Sequence, residues 1–322
     1  MINSDRLTAG TLGTLMPPAA NITRNAQRNE SQGYAALWWP DHYMGWFPQS
    51  VWTPDITPLA AFQSNPDIFF DPLVAMAAAA GATSKVTLGT AVTEALRRHP
   101  VELAQAFLTL DHLAPGRVIC GLGSGEALNL LPYGIPFERP VGRLQEAVRI
   151  IRLLWSSDGP VDFEGEHFHL RQAVLGLEPT TQGPPEIWLA AHGPRMLDIT
   201  GRYADGWLPE FLPLDDYRSR LKRIHQARQD AGRSADPFTP AMYVVEGVPP
   251  AVVEAGVLHG TPEEVAQELA TYARVGLRHV VLWNVTFFSD ANLIRRSYQL
   301  MSTLLDLLRD IRIGEWAASS TR

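Results

Sequence analysis

The chain has 322 residues, of which 46% are hydrophobic and 19% are charged, so it should bury a large core. The formal net charge of -7 excludes a general basic field for nucleic acid or an anionic membrane. Cys120 is the single cysteine, which excludes an intramolecular disulfide and a cysteine-built metal cluster. The first residues lack a secretory pattern and no apolar run approaches the ~20 residues of a membrane span, so we expect a soluble cytoplasmic protein.

Short apolar runs alternate with longer helical segments along the chain, which is the pattern of a parallel sheet covered by helices. Eight such units predict a single (β/α)8 TIM barrel domain over residues 1–322. The predicted strands are Leu7–Gly13, Ala35–Trp39, Val86–Thr90, Val118–Leu122, Ile187–Ala190, Gly206–Pro209, Met242–Val245 and His279–Asn284. Each is brief and mostly apolar, as strands buried on both faces should be.

Helix start signals follow most of these strands. Asp71 before a proline predicts an N-cap, and Gly81 predicts the end of that helix. Thr261 and Glu264 have the spacing of a capping box. Pro100 is placed to open a further helix.

Three stretches exceed ordinary connections and predict insertion loops at residues 43–68, 156–185 and 246–260. The first is rich in aromatic residues, which favours either an apolar substrate surface or a small core within the loop. The second contains a predicted hairpin around Asp162–Leu170. His167 and His169 have a spacing that could bind metal, but no third ligand is near in sequence, so we predict a surface hairpin and no metal site.

Barrels of this kind carry their reacting groups just after the strands. Asp41 and His42 end the second predicted strand, and Trp46 follows them. A histidine moves protons near neutral pH, a carboxylate can orient it or bind a ligand, and an indole can wall a flat cofactor. By itself, an Asp-His pair in this place is a capped turn about as often as a site.

Charged residues follow the third strand. Arg97, Arg98 and His99 could hold an anion near a helix N-terminus, but a solvated basic turn is the favoured interpretation. Glu94 faces a substrate or pairs with Arg97.

The fourth strand leads into the most informative segment of the chain. Gly121, Gly123 and Gly125 alternate, which indicates backbone packed against something large and flat, and Glu126 then projects a carboxylate over the barrel mouth. The third glycine of a dinucleotide fingerprint is missing, so a Rossmann interpretation is weak. After the fifth strand, the turn His192–Pro194 at a helix N-terminus is either a phosphate cradle or an ordinary βα turn.

Three of these segments resemble the coenzyme F420-dependent branch of the luciferase-like superfamily. They are Pro40–His42 with Trp46, the glycine-rich run Arg117–Asn129, and the run Ala190–Trp207. The resemblance implies an oxidoreductase that transfers hydride between C5 of the deazaflavin and a fairly apolar small molecule. The reacting group would be an alcohol/ketone pair or a C=C or C=N bond.

The same resemblance implies roles for individual residues. His42 would take or give the substrate hydroxyl proton, and Glu126 would protonate or deprotonate the cofactor ring at N1. Trp46 would line the substrate pocket. Positions matching cofactor contacts are Asp41, Ser124 and Asn129 near the ring, the turn of His192, Gly193 and Pro194 at the phosphate, and a non-proline cis peptide bulge near Ala91 and Val92.

Two other functions compete with this one. An FMN-dependent luciferase-like monooxygenase uses the same barrel. F420 has a carbon at ring position 5 and is therefore poor at activating oxygen, so the two classes differ in the chemistry of the cofactor. Glu126 favours F420. A non-catalytic ligand-binding barrel would be expected to have lost Glu126 or His42. With Lys85 and Lys222 as the only lysines, a sugar phosphate substrate is disfavoured. Relatives are usually dimers, so we expect a homodimer.

Overall fold

The computed structural model describes residues 5–45, 48–246, 260–284 and 294–314, together with residues 2 and 258. Its strands are β1 Thr8–Leu12, β2 Ala36–Trp39, β3 Thr87–Thr90, β4 Thr93–Glu94, β5 Val118–Gly123, β6 Val161–Glu164, β7 His169–Ala173, β8 Glu186–Leu189, β9 Gly206–Trp207, β10 Thr239–Glu246 and β11 His279–Asn284. Eight of them form a closed parallel ring in the order β3-β2-β1-β11-β10-β9-β8-β5, because β3 also pairs with β5. The predicted barrel and its eight strands are confirmed.

Helices connect the strands and cover the barrel. They are α1 Ala20–Gln32, α2 Pro72–Ala80, α3 Pro100–Leu113, α4 Pro140–Trp155, α5 Pro194–Tyr203, α6 Leu214–Asp230, α7 Pro262–Ala273 and α8 Ile294–Leu308. Asp71 caps α2 by accepting from the backbone N–H of Leu73 at 2.9 Å, and Thr261 and Glu264 form the predicted capping box at α7. None of the described helices is long and apolar enough to cross a membrane.

Side chains along each strand alternate between the barrel interior and the helix-facing layer. The interior cluster holds Trp38 of β2 and Trp188 of β8, whose ring centroids lie 5.2 Å apart. Glycines make room for them, since a Cβ on Gly89 would lie 2.5 Å from Trp38 and one on Gly206 would lie 2.5 Å from Trp188. The helix-facing layer includes Cys120, which is buried as a core residue.

His279 lies at the start of β11, fully buried inside the barrel. Its Nε2 accepts a hydrogen bond from Trp38 Nε1 at 3.1 Å, so Nδ1 carries the proton and donates to Thr8 Oγ1 at 2.8 Å. Both ring nitrogens are therefore satisfied in the neutral form. Burial lowers the pKa of His279 to about 3.

The insertion loops pack in different ways. In residues 43–68, Trp52 is buried and donates to the carbonyl of Gln63 at 2.6 Å, which supports a small core within the loop, whereas Phe62 is 75% exposed. The hairpin in residues 156–185 is confirmed by β6 and β7; within it the side chain of His167 is 7% exposed and that of His169 is 55% exposed. Of the third insertion, residues 247–257 and 259 lie outside the described residues.

The buried neutral His279 makes stability depend on pH. Its folded pKa lies below the unfolded value of about 6.5, so its contribution is present above that pH and is lost as pH falls towards 3. We expect the titration of His279 to lower the free energy of unfolding by about 3 kcal/mol between pH 7 and pH 4. Urea unfolding of wild type and His279→Gln should show a flatter pH dependence in the variant; parallel curves would contradict the assignment.

Candidate functional site

A cavity of about 250 Å³ opens at the carboxyl ends of the barrel strands. Because parallel strands all end at the same rim, residues far apart in sequence meet there. Eight predicted site residues line it: Asp41, His42, Ala91, Val92, Ser124, Glu126, Asn129 and His192. Gly193 and Pro194 begin α5 beside His192 but do not line the cavity, and Trp46 lies outside the described residues.

Asp41, two residues after the end of β2, lines the cavity. Its carboxylate accepts from Thr93 Oγ1 at 2.6 Å and pairs with Arg97 Nη2 at 3.0 Å and Arg98 Nε at 3.2 Å. The Asp41 and Arg97 side chains are 3% and 5% exposed. Charges this buried are tolerated only when they are paired and hydrogen-bonded, so this cluster fixes the chain on both sides of the rim.

The solvated basic turn favoured for residues 97–99 is therefore wrong. Arg97 Nε bonds Glu94 Oε1 at 3.0 Å, and Arg98 Nη2 bonds the helix-capping Asp71 at 2.6 Å. Carboxylates from the segment after β2, from β4 and from the N-cap of α2 converge on the two arginines and shield them from solvent. Glu94 consequently pairs with Arg97.

One atom of Arg97 is left without a partner. Arg97 lines the cavity, and within the described chain its buried Nη1 makes no hydrogen bond. The guanidinium also lies 4.4 Å over the ring of Tyr43. An unsatisfied buried donor costs about 1–3 kcal/mol. Nη1 is thus a donor suited to an oxygen of a ligand.

His42, Asn129 and Glu126 form a second polar cluster at the same rim. Asn129 Nδ2 lies 2.8 Å from His42 Nδ1 and 3.1 Å from Glu126 Oε2, and the His42 Nδ1 to Glu126 Oε2 distance is 3.7 Å. The His42 side chain is 9% exposed, whereas that of Glu126 is 48% exposed. A shielded imidazole and an accessible carboxylate are thereby both hydrogen-bonded to one amide.

Both histidines of the cavity favour the neutral form. Burial lowers the pKa of His42, while the nearby carboxylates of Glu126 and Asp41 oppose that effect. Burial also lowers the pKa of His192, helped by Arg220 and opposed by Glu210. Neutral imidazoles at physiological pH can donate and accept hydrogen bonds, which suits proton exchange with a ligand.

The glycines of β5 serve a neighbouring strand as well as the cavity. A Cβ on Gly121 would lie 1.8 Å from the carbonyl oxygen of Thr90, and one on Gly123 would lie 2.6 Å from Val92. The large flat neighbour inferred for this run is, at Gly121, the backbone of β3. The peptide bond between Ala91 and Val92 is cis, where the resemblance placed it.

Glu210 and Tyr243 also line the cavity and were missed from the sequence. Glu210 follows β9 and pairs in register with Tyr243 of β10, and both line the wall opposite Asp41's loop together with Leu208. The rule used for the other strands, which takes the first polar residues after each strand, would have found Glu210. Among the described residues, no group of three His, Cys, Asp or Glu side chains could hold a metal ion.

Residues 3–245 match the family model described as luciferase-like monooxygenase. The chain belongs to this family. It is 40% identical over 238 residues to a phthiodiolone/phenolphthiodiolone dimycocerosates ketoreductase of Mycobacterium sp. (strain JLS). The aligned residues cover 72% of this chain and 63% of that relative. The chain thus spans less than two thirds of that relative's length.

Other known proteins are also similar to this chain. An F420-dependent glucose-6-phosphate dehydrogenase of Kineococcus radiotolerans is 38% identical over 187 residues, covering 57% of this chain and 50% of that protein. An F420-dependent secondary alcohol dehydrogenase in complex with an F420-acetone adduct superposes with a TM-score of 0.78 at 22% identity, covering 95% of this chain and 100% of that one. EDTA monooxygenase from Chelativorans sp. BNC1 superposes at 0.74 and 14% identity, covering 98% and 97%. The same barrel fold therefore occurs in a dehydrogenase and in a monooxygenase.

The Asp41 cluster predicts a large effect of one isosteric change. Asp41→Asn removes the charge that neutralises two buried arginines and should lower the free energy of unfolding by about 3 kcal/mol. The matched control is Asp215→Asn, because Asp215 is 92% exposed and pairs only at the surface with Arg218; it should change stability by less than about 0.5 kcal/mol. Equal effects in urea unfolding would contradict the role given to Asp41.

Proposed function

We propose that this chain is an F420-dependent oxidoreductase that transfers hydride between the deazaflavin and the carbonyl carbon of a fairly apolar small molecule. The observation that carries the proposal is the cluster of His42, Asn129 and Glu126 at the barrel mouth. The names of the relatives support it, since one is a ketoreductase and another is F420-dependent. The same site would also serve C=C or C=N reduction.

The cavity and the adjoining turn at the start of α5 offer suitable partners for F420. Ser124, Asn129 and the Ala91–Val92 bulge would lie against the ring system, and the turn of His192, Gly193 and Pro194 would hold the phosphate at the N-terminus of α5. The unpaired Nη1 of Arg97 would bind one of the cofactor oxygens. Bound F420 supplies the hydride donor or acceptor that the side chains themselves lack.

Proton handling falls to the side chains of the cluster. His42 would exchange a proton with the substrate oxygen as hydride moves, and the shielding of its ring keeps water from competing. Glu126, which is half exposed in the cavity, would hold or release the proton of the cofactor ring. Trp46 would line the substrate pocket. Asp41 would contact the cofactor while its charge stays neutralised by Arg97 and Arg98.

The charges of the cavity argue for an uncharged substrate. Glu126 and Glu210 both line it, and neither Lys85 nor Lys222 does. Asp41 and Glu94 neutralise the positive charge of Arg97 through ion pairs. A phosphate group would therefore meet carboxylates without a compensating lysine, which disfavours sugar phosphates. A neutral ketone or alcohol fits this wall.

Two alternatives stay open to test. An FMN-dependent monooxygenase would use the same fold, since EDTA monooxygenase has a similar structure. A non-catalytic barrel would not need the buried His42 beside Glu126. The homodimer, the cytoplasmic location and the single-domain organisation over residues 1–322 stay predictions.

Cofactor binding decides between these functions. The purified protein is titrated with oxidised F420 and, in parallel, with FMN, following tryptophan fluorescence. We expect micromolar or tighter binding of F420 and negligible binding of FMN. Preference for FMN would assign the monooxygenase function instead, and binding of neither would favour the non-catalytic barrel.

Glu126 supplies a second test. Glu126→Gln keeps the size of the side chain and should preserve F420 binding, but turnover with a ketone or alcohol should fall ~10²-fold because a general acid is lost. The measurement compares the Kd for F420 with kcat for hydride transfer. Unchanged turnover would remove Glu126 from the chemistry.

A further inference from the structure

The side-chain amide of Asn129 has only one possible orientation. The backbone N–H groups of Tyr43 and Met44 donate to its Oδ1 at 2.9 and 3.1 Å. A backbone N–H can only donate, so the atom that faces both groups must be the oxygen. The opposite end of the amide, Nδ2, therefore faces His42 and Glu126.

This orientation determines what His42 can present. Nδ2 carries two hydrogens and no available lone pair, and its two neighbours are His42 Nδ1 at 2.8 Å and Glu126 Oε2 at 3.1 Å. One hydrogen serves each neighbour. His42 Nδ1 must then accept, which requires that it carry no proton. A neutral imidazole in this state has its proton on Nε2.

We propose that Asn129 is a positioning residue that fixes His42 as its Nε2–H tautomer, so that the site is built to donate a hydrogen bond to a carbonyl oxygen of the substrate. The second clause rests on the proposed function. The first depends only on residues of this chain and holds without cofactor or substrate. It gives Asn129 a role through His42 besides any contact with the cofactor.

The charged groups around His42 define the competing state. Glu126 Oε2 lies 3.7 Å from Nδ1 and would stabilise an Nδ1–H tautomer or an imidazolium. Asp41 favours protonation and Arg97 opposes it, while the Phe69 ring packs 5.5 Å from the imidazole. Asn129 donates to both Nδ1 and Glu126 Oε2, and the 3.7 Å between these two atoms is longer than a hydrogen bond.

The tautomer is measured by ¹⁵N NMR of cofactor-free protein labelled at histidine, with the His42 signals assigned by their loss in His42→Gln. We expect an unprotonated Nδ1 and a protonated Nε2 in wild type at neutral pH. Glu126→Gln is the matched control and should keep this pattern, because the Asn129 amide is unchanged. An Nδ1–H signal in wild type would overturn the proposal.

Asn129→Asp tests the cause. A carboxylate at this position can still accept from Tyr43 and Met44, but it would accept from Nδ1–H where the amide donated. The tautomer should switch to Nδ1–H, and the pKa of His42 should rise by about 1 to 3. In ketone reduction His42 gives a proton to the substrate oxygen, so the alkaline limb of the kcat/KM profile should move to higher pH with it. An unchanged tautomer in folded Asn129→Asp would refute the role of Asn129.

The outcomes separate this inference from the proposed function. If Asn129→Asp does not fold, the wild-type and Glu126→Gln spectra still decide the tautomer. An Nε2–H tautomer in a protein that does not bind F420 would support the positioning role and overturn the proposed cofactor. F420 binding by a protein whose His42 is the Nδ1–H tautomer would support the proposed cofactor and overturn the positioning role of Asn129.

Discussion

The carboxylate of Asp41 is buried between two arginines, and the shape of the cavity depends on that contact. Asp41 lies just after β2, and Arg97 and Arg98 lie just before α3. Their ion pairs therefore join two neighbouring βα units at the rim. Arg97 also donates to the Asp41 carbonyl at 3.0 Å, which fixes the backbone just before His42. A buried charge network of this kind is costly unless every member is paired, so it permits few alternative arrangements.

Mainly apolar side chains fill the barrel below the rim, and the polar side chains of the cavity lie at the carboxyl rim. Trp38 and Trp188 fill the interior, and strand glycines leave the volume that the two indoles occupy. His279 meets Trp38 and Thr8 as a neutral group, so it adds no charge to the core. Above this filled layer, the cavity collects carboxylates, imidazoles and one guanidinium. The same barrel fold thus separates a stability layer from a reactive one.

Neutralisation divides the charges of the rim into two groups. Asp41 and Glu94 are engaged by Arg97 and contribute mainly to structure. Glu126 remains about half exposed, and its amide partner Asn129 links it to a shielded histidine. Because packing fixes the strands below the rim, a barrel of this kind can carry different chemistries through changes in its rim residues.

The sequence by itself determined the eight strands, the capped starts of α2 and α7, and the rim positions of His42 and Glu126, since these follow from local periodicity, capping chemistry and the strand-end rule. The resemblance, rather than the residues alone, supplied the cis bond at Ala91–Val92. Only the tertiary structure decided that Arg97 is buried and that Gly121 faces β3, because both depend on contacts between segments distant in sequence. The orientation of the Asn129 amide was likewise beyond the sequence, since backbone groups of another loop fix it.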